Sequence, residues 1–401
     1  MTSRSRRLLL VSEHFQPSTG ATSQLMTDLA SDLVGIGWRV TVLTATPGRR
    51  TPSSSKPEVV VRLTRTHTRQ GRNGVLAKAL RGLHFLISSL IWCLVQGRQG
   101  DVILIVSNPP FIGFLGPLLH TLKGLPYIFL FQDLFPQTAV ISGLLPPSSP
   151  ITSCLRWLMS WVCRQSASTV VLSDSMRQQL IRDLGQHTPI AVIHNWAVEQ
   201  ALDSPRAINP FAAEHSFQHC FTIQYSGNFG RLHDLDTLLD TAKILLSHPV
   251  QFVFIGGGAK QSQIDASCET NALTNILRLP YQPRATLPYS LGACDLAAVS
   301  LMPGAENTMA PCKFYGILAS GRGVVLVARR TCDLAQIVLN EGIGVVVEPG
   351  ESEALAEELL QLSKNPYRVQ TMGDRARSLY AERFGRERSV TAYAHLLKQL
   401  R

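Results

Sequence analysis

No CxxC pair occurs in this chain, and its eight cysteines, at 93, 154, 163, 220, 268, 294, 312 and 332, form no Cys/His cluster with zinc-ligand spacing. That argues against a structural metal site, and reduced thiols in a cytosolic protein are the expectation. A GxxxxGK[ST] run is missing as well, which argues against a P-loop nucleotidase. The longest apolar segment, residues 82–97 (GLHFLISSLIWCLVQG), falls short of the roughly 20 residues of a spanning helix and reads as a buried or membrane-surface helix. The start, MTSRSRRLLLVSEHFQP, has an apolar run too short for a signal-peptide core and reads as a buried first strand. Charged residues are scarce at 16% against 45% hydrophobic, the balance of a packed globular protein and not a disordered one.

Acidic residues are short in one half only. Residues 1–200 hold 19 Lys+Arg against 9 Asp+Glu, and residues 201–401 hold 19 against 19, so the whole net +10 lies in the first half. Two readings are open: a solvated basic face, or a face turned to an anionic surface. Phospholipid suits that surface better than nucleic acid, because the same half carries the apolar stretches FIGFLGPLLHTL and LHFLISSLIWCLVQ.

What is present is an alternation. RLLLVSE, RVTVLTA, DVILIVSN, PYIFLFQD, STVVLSD and IAVIHN are short branched-apolar runs with helical patterns between several of them. After the polar stretch NWAVEQALDSPRAINPFAAEHS the alternation restarts with FTIQYSG, VQFVFIGGG, ILRLP, LAAVSLM, GVVLVA and GVVVEPG. At 401 residues the length prior also favours two domains. The predicted fold class is α/β, two Rossmann-like doubly wound parallel sheets. The predicted domains are residues 1–200, joined by the last helix at about 386–401, and residues 201–385.

Open parallel sheets bind ligands at the carboxyl ends of their strands. YSGNFGRLHDLDTLL ends a strand at Tyr225, turns through Gly227, Asn228 and Gly230, and opens a helix that Asp234 or Asp236 can cap. Arg231 adds a positive fork for phosphate, the alternative being an ordinary tight turn with an exposed arginine. In FIGGGAKQSQI, Gly256 and Gly258 begin a GxGxxG pattern, but Gln261 stands where its third glycine belongs, so the segment reads as a structural turn and a dinucleotide dehydrogenase is weakened. Further on, APCKFYGILASGRGVV lets Pro311 start a helix with Lys313 in its first turn, where a cation is unfavourable unless an anion is bound there. One phosphate would satisfy Lys313 and Arg231 together. Arg322, near the far end of that helix, needs no ligand.

The chain resembles bacterial retaining glycosyltransferases of the GT-B fold, the family 4-like type that acts in polysaccharide and glycolipid assembly. The segments that carry the likeness are EHFQPSTGATSQLMTDLASDLVGIGWRVTVLT, FQDLFPQTAV, VIHNWA, YSGNFGRLHDLDTLL, PCKFYGILASGRGVV and GIGVVVEPGESEALAEEL, in order along nearly the whole length. The resemblance implies two domains facing across a cleft, the second holding a nucleotide-diphosphate sugar of UDP or GDP type as substrate, with no cofactor and no metal. Its diphosphate would lie against Gly227, Asn228, Arg231 and Lys313, Tyr281 and Gln282 would flank the base, the alternative for Tyr281 being packing, and Gly20 would approach the donor from the first domain. Asp133 would orient the acceptor hydroxyl or act as base, its alternative being a helix cap. Lone histidines after strands, His14 and His194, read as structural.

Two departures stand out. Many relatives carry two glutamates eight apart, the later bonded to the ribose. Here that later position is Gly316 and the earlier is Thr308, with Glu306 two residues away. Glu306 either reaches the donor sugar or is an exposed loop carboxylate. The expectation is a cytoplasmic, peripherally membrane-bound transferase acting on a lipid-linked or saccharide acceptor, without nucleic acid. A catalytically silent nucleotide-sugar-binding partner is the alternative, suggested by Gly316 and Thr308.

Overall fold

The computed structural model describes residues 7–18, 20–45, 60–63, 75–185, 189–197 and 206–400. The chain forms two compact units, Met1–His194 with Glu387–Arg401, and Asn195–Arg386. Residues 1–6, ahead of the first strand, and 198–205, within the stretch read as polar connection, lie outside the described residues.

The first unit is built on β1 (Arg7–Val11), β2 (Arg39–Thr44), β3 (Val60–Leu63), β4 (Val102–Val106), β5 (Tyr127–Leu130), β6 (Ser168–Val171) and β7 (Ile190–Val192). They form one sheet in the order β3-β2-β1-β4-β5-β6-β7, every pair parallel. Strands such as VILIV of β4 are buried along their full length, as a sheet covered on both faces requires. Around it lie α1 (Ala21–Gly35), α2 (Val75–Gln96), α3 (Leu115–Lys123), α4 (Gln137–Ile141), α5 (Pro150–Gln165) and α6 (Asp174–Leu184). Because parallel crossovers are right-handed, the change of direction after β3 puts α2, α3 and α5 on one sheet face, opposite α1. Accordingly α2 packs on α3 and α3 on α5.

Two features differ from the sequence reading. β3 has no counterpart among the predicted strands: it is four residues long and stands at the sheet edge, so its apolar signal is brief. The apolar helix starts seven residues earlier than the segment 82–97, giving 22 residues, and the added turns bring in Lys78 and Arg81. No helix among the described residues is long and apolar enough to cross a membrane.

The second unit repeats the plan with β8 (Phe221–Asn228), β9 (Val250–Gly257), β10 (Ile276–Leu279), β11 (Leu296–Ser300), β12 (Gly323–Val327) and β13 (Gly344–Val347) in the order β10-β9-β8-β11-β12-β13, all parallel. Its helices are α7 (Pro210–Glu214), α8 (Asp236–Ile244), α9 (Gln261–Thr270), α10 (Leu287–Leu291), α11 (Cys312–Ala319), α12 (Asp333–Asn340), α13 (Ser352–Ser363) and α14 (Pro366–Leu379). The last helix, α15 (Arg386–Gln399), belongs to the first unit from Glu387 on, where Ser389 donates to the His194 carbonyl at 2.8 Å.

Strand order reverses between β8 and β11, the place where open α/β sheets offer a crevice. At the amino ends the two strands are pinned, Asp295 accepting from the Thr222 N–H at 2.7 Å and from Arg206 at 2.6 Å. Their ladder then covers only Leu296 with Ile223 and Ala297 with Gln224. Past it, the carboxyl ends are bonded to their other neighbours, β9 and β12.

Candidate functional site

Tyr225, the first β8 residue beyond that short ladder, has its ring under the Lys313 ammonium, with Nζ 3.6 Å from the ring centroid. Lys313 is in the first turn of α11, whose N-cap is Pro311. The lysine stem is partly exposed, but Nζ itself is enclosed and has no hydrogen-bond acceptor. Burial pushes its pKa well below the ordinary 10.5. A ring face compensates an enclosed cation by only about 0.5–2 kcal/mol, while an ammonium taken out of water costs more than that. Three enclosed N–H donors without an acceptor, at a helix N-terminus, are therefore a site in need of an anion.

The loop beside the lysine is held from several sides. Gly227 has φ +121°, and a side chain there would meet Lys313 Cε at 3.8 Å. His233 Nδ1 accepts from the Gly230 N–H at 3.1 Å, so the Tyr225 hydroxyl, 2.7 Å away, donates to the same nitrogen. Burial, reinforced by the Lys313 charge, lowers the His233 pKa to about 3, which keeps this ring neutral and its Nδ1 an acceptor. Lys260 donates to the His233 carbonyl at 2.7 Å, and Phe229 N–H to the Gly257 carbonyl at 2.9 Å. Asp234 caps the start of α8 through Thr237, accepting from its N–H at 3.3 Å and its hydroxyl at 2.6 Å. Arg231 stands exposed in this turn, three residues after the exposed Asn228.

The Gly256 to Gly258 loop packs on the same turn. Side chains at Gly256 and Gly258 would collide with the Gly227 carbonyl at 2.0 Å and with Asn228 Oδ1 at 2.5 Å. These glycines allow close backbone approach between the two turns, a structural role in keeping with the segment's reading as a structural turn. Tyr281 lies across this loop, its hydroxyl donating to the Gly257 carbonyl at 2.9 Å while the residue stays 60% exposed, so its ring is not core packing. Gln282 donates to the Pro280 carbonyl at 2.9 Å.

Glu306 corrects one reading of the sequence. It follows β11 and is only 4% exposed, so it is no exposed loop carboxylate. Oε1 is 3.6 Å from Arg329 Nε, and Oε2 is enclosed without a partner. Thr308 is committed elsewhere, its hydroxyl donating to the Ala305 carbonyl at 3.0 Å. Gly316 is different: a Cβ there would find only Leu291 at 3.9 Å. Gly316→Ala should therefore raise stability by about 0.5–1 kcal/mol through helix propensity alone, read as a higher midpoint in urea unfolding with unchanged slope.

In the first unit, Gly20 is the exposed N-cap of α1. Asp133 stands past the carboxyl end of β5 and does not cap α4, which begins at Gln137 behind Pro136 with no side-chain cap bond. Desolvation by the surrounding protein lifts its carboxyl to about 6, so the group, whose residue is exposed, is still ionised at neutral pH. His194 Nδ1 is 3.0 Å from the Leu172 carbonyl, a structural contact. The supports Tyr225, His233 and Lys260 were not singled out from the sequence; the only signal for them was a tyrosine and a histidine flanking a glycine turn.

Residues 20–196 match the glycosyl transferase 4-like domain, and residues 213–379 match the glycosyl transferases group 1. The chain is a tandem of glycosyltransferase domains. "Probable glycosyltransferase WbjE" of Pseudomonas aeruginosa is 24% identical over 398 residues, covering 98% of both chains. Among solved structures, Anabaena HepE in complex with UDP-glucose aligns with a TM-score of 0.74 at 15% identity, over 98% of this chain and 99% of that one. WaaG, a glycosyltransferase involved in lipopolysaccharide biosynthesis, aligns with a TM-score of 0.69 at 14% identity, over 97% and 99%. The fold is GT-B, two doubly wound α/β domains.

Proposed function

We propose that this glycosyltransferase moves a sugar from a nucleotide-diphosphate donor of UDP or GDP type to a lipid-linked or saccharide acceptor in cell-surface polysaccharide or glycolipid synthesis. The observation that carries the reading is the enclosed, acceptor-free Lys313 ammonium at the head of α11, beside Gly227. HepE binds UDP-glucose and WaaG serves lipopolysaccharide assembly, which supports the donor and acceptor classes.

In this reading the donor diphosphate takes Lys313, the N-terminal end of α11 behind Pro311, and the exposed Arg231, with Gly227 and Asn228 lining its path. As the bond from the anomeric carbon to the phosphate oxygen breaks, charge grows on the diphosphate, and these fixed cations stabilise it without a metal. The acceptor hydroxyl forms the new bond on the same face of the sugar, retaining configuration, and its proton passes to the departing phosphate oxygen. Asp133 orients that hydroxyl on the acceptor side. Glu306 is the carboxylate for the donor sugar, and the exposed ring of Tyr281 with Gln282 flanks the base. Gly20 leaves its backbone open to the donor, and Gly316 leaves the ribose a site with no carboxylate.

A catalytically silent nucleotide-sugar binder is the second reading, favoured by the absence of carboxylates at Thr308 and Gly316. A thermal-shift screen of UDP- and GDP-sugars followed by a transfer assay separates the two. One donor at a hundredfold its dissociation constant should stabilise the chain by about 2.7 kcal/mol. Arg231→Ala should leave apo stability within about 0.5 kcal/mol and weaken that donor roughly tenfold or more. Binding without turnover on any acceptor supports the silent reading, and no shift with any nucleotide overturns both.

A further inference from the structure

α2 is apolar on two opposite sides. Gly82, Phe85, Ser89 and Cys93 are buried toward the sheet, at helical spacing. On the far side Leu80, Leu83, Ile87, Ile91 and Val95 are 48–71% exposed, a stripe about 22 Å long at 1.5 Å per residue. An amphipathic surface helix is mainly polar there, whereas on this one the exposed His84 interrupts an otherwise apolar side. The stripe continues onto the neighbouring helices through Leu118 and Leu122 of α3 and Ile151 and Trp157 of α5, Trp157 being 67% exposed.

This face is rigidly mounted. Lys123 of α3 donates to the Leu94 and Gly97 carbonyls at 2.7 Å each, capping the C-terminus of α2. Arg7 donates to the Gln96 carbonyl at 3.1 Å and pairs with the buried Asp101 at 3.4 Å. Its charge is one-sided: residues 75–173 contain six Lys+Arg and only two acidic residues, Asp101 and Asp133. Asp101 is spent on Arg7, and Asp133 stands past the carboxyl end of β5. Arg98, Arg156 and Arg164 are exposed.

We infer that the outer face of α2, α3 and α5 docks on an anionic phospholipid bilayer, the apolar stripe and Trp157 entering the headgroup boundary while the arginines meet lipid phosphates. Apolar side chains with few neighbouring carboxylates suit such a surface, Asp174 of the adjacent α6 being paired with Arg177 at 3.4 Å, and both terms add. A second copy fits less well, because a two-fold contact would set this one-sidedly positive face against an identical one. The inference rests on the first unit alone, so failure to bind a nucleotide sugar leaves it untouched.

The test is cosedimentation of the full chain with phosphatidylcholine vesicles, with and without phosphatidylglycerol. Recovery with the anionic vesicles should exceed that with the neutral ones and fall with added salt. Ile87→Glu combined with Ile91→Glu should weaken partitioning at least about tenfold, with folding checked by circular dichroism. Should that variant fail to fold, quenching of the parent chain's emission by brominated lipid decides, and most of it should vanish in Trp157→Phe. The inference is overturned if the parent chain stays in the supernatant, if the substitutions leave binding unchanged, or if they only dissociate a dimer.

Discussion

Lys313→Met should make the ligand-free protein more stable while removing its donor chemistry. The parent keeps an ammonium enclosed over the Tyr225 ring with no acceptor, and methionine fills a similar volume without that desolvation. A gain on the order of 1–3 kcal/mol follows, seen as a midpoint several degrees higher in thermal unfolding. The pH dependence has a definite sign. Lys313 in the folded chain sits well below the 10.5 of the unfolded one, so the unfolded state holds the extra proton between those values. Parent stability therefore rises with pH through that window, and the advantage of the variant shrinks toward pH 10.5. With donor present the order reverses: the transfer rate at low donor should fall by about 10²–10³, the scale for losing one preorganised charge-stabilising donor. A variant less stable than the parent at neutral pH, with donor binding intact, would show that Lys313 is a packing residue and would remove the basis of the proposed function. Such an opposition between stability and activity is the mark of a site kept strained for a ligand.

That lysine was legible in the sequence because it violates a local rule: a cation in the first turn of a helix needs a reason. The twelve strands that were predicted were legible too, since strands covered on both faces must be apolar throughout, as in LAAVS of β11 and GVVLV of β12. β3 was not, being four residues at an edge, where little apolar signal is needed. Burial of Glu306 was also hidden. GAENTMAP reads as a polar loop, and only the fold shows it closing into a turn from Ala305 to Thr308 and Met309 with the buried Glu306 carboxylate beside Arg329. The bracing of the glycine turn by Tyr225, His233 and Lys260 joins residues 8 and 27 positions apart through side-chain geometry, which no spacing rule encodes. For α2 the sequence left a buried and a membrane-surface helix both open, because a mostly apolar stretch signals burial on each face alike, and only the fold shows which side lacks a neighbour.

Gly256→Ala should be the most damaging single-methyl change near the site. In the β8–β9 ladder Gly256 is paired with Gly227 and Gly257 with Asn228, so this ladder carries the phosphate-side turn directly. An added Cβ would stand 2.0 Å from the Gly227 carbonyl oxygen and 2.9 Å from its carbon. Both atoms are backbone, so no side chain can swing aside, and φ of +138° adds conformational strain of about 1–3 kcal/mol. Parting the two strands would move Gly227 away from Lys313 as well. A loss of roughly 4 kcal/mol or more is expected in urea unfolding, together with loss of any nucleotide-induced thermal shift. Gly350→Ala is the control, since φ there is +93° but nothing lies within 4 Å. It should show the strain alone, about 1–3 kcal/mol, and keep nucleotide binding. The difference between the two variants measures the collision. If they prove equally mild, the close approach of the two glycine turns is not what holds the phosphate-side loop in place, and its fixed position must come from the His233 and Lys260 contacts instead.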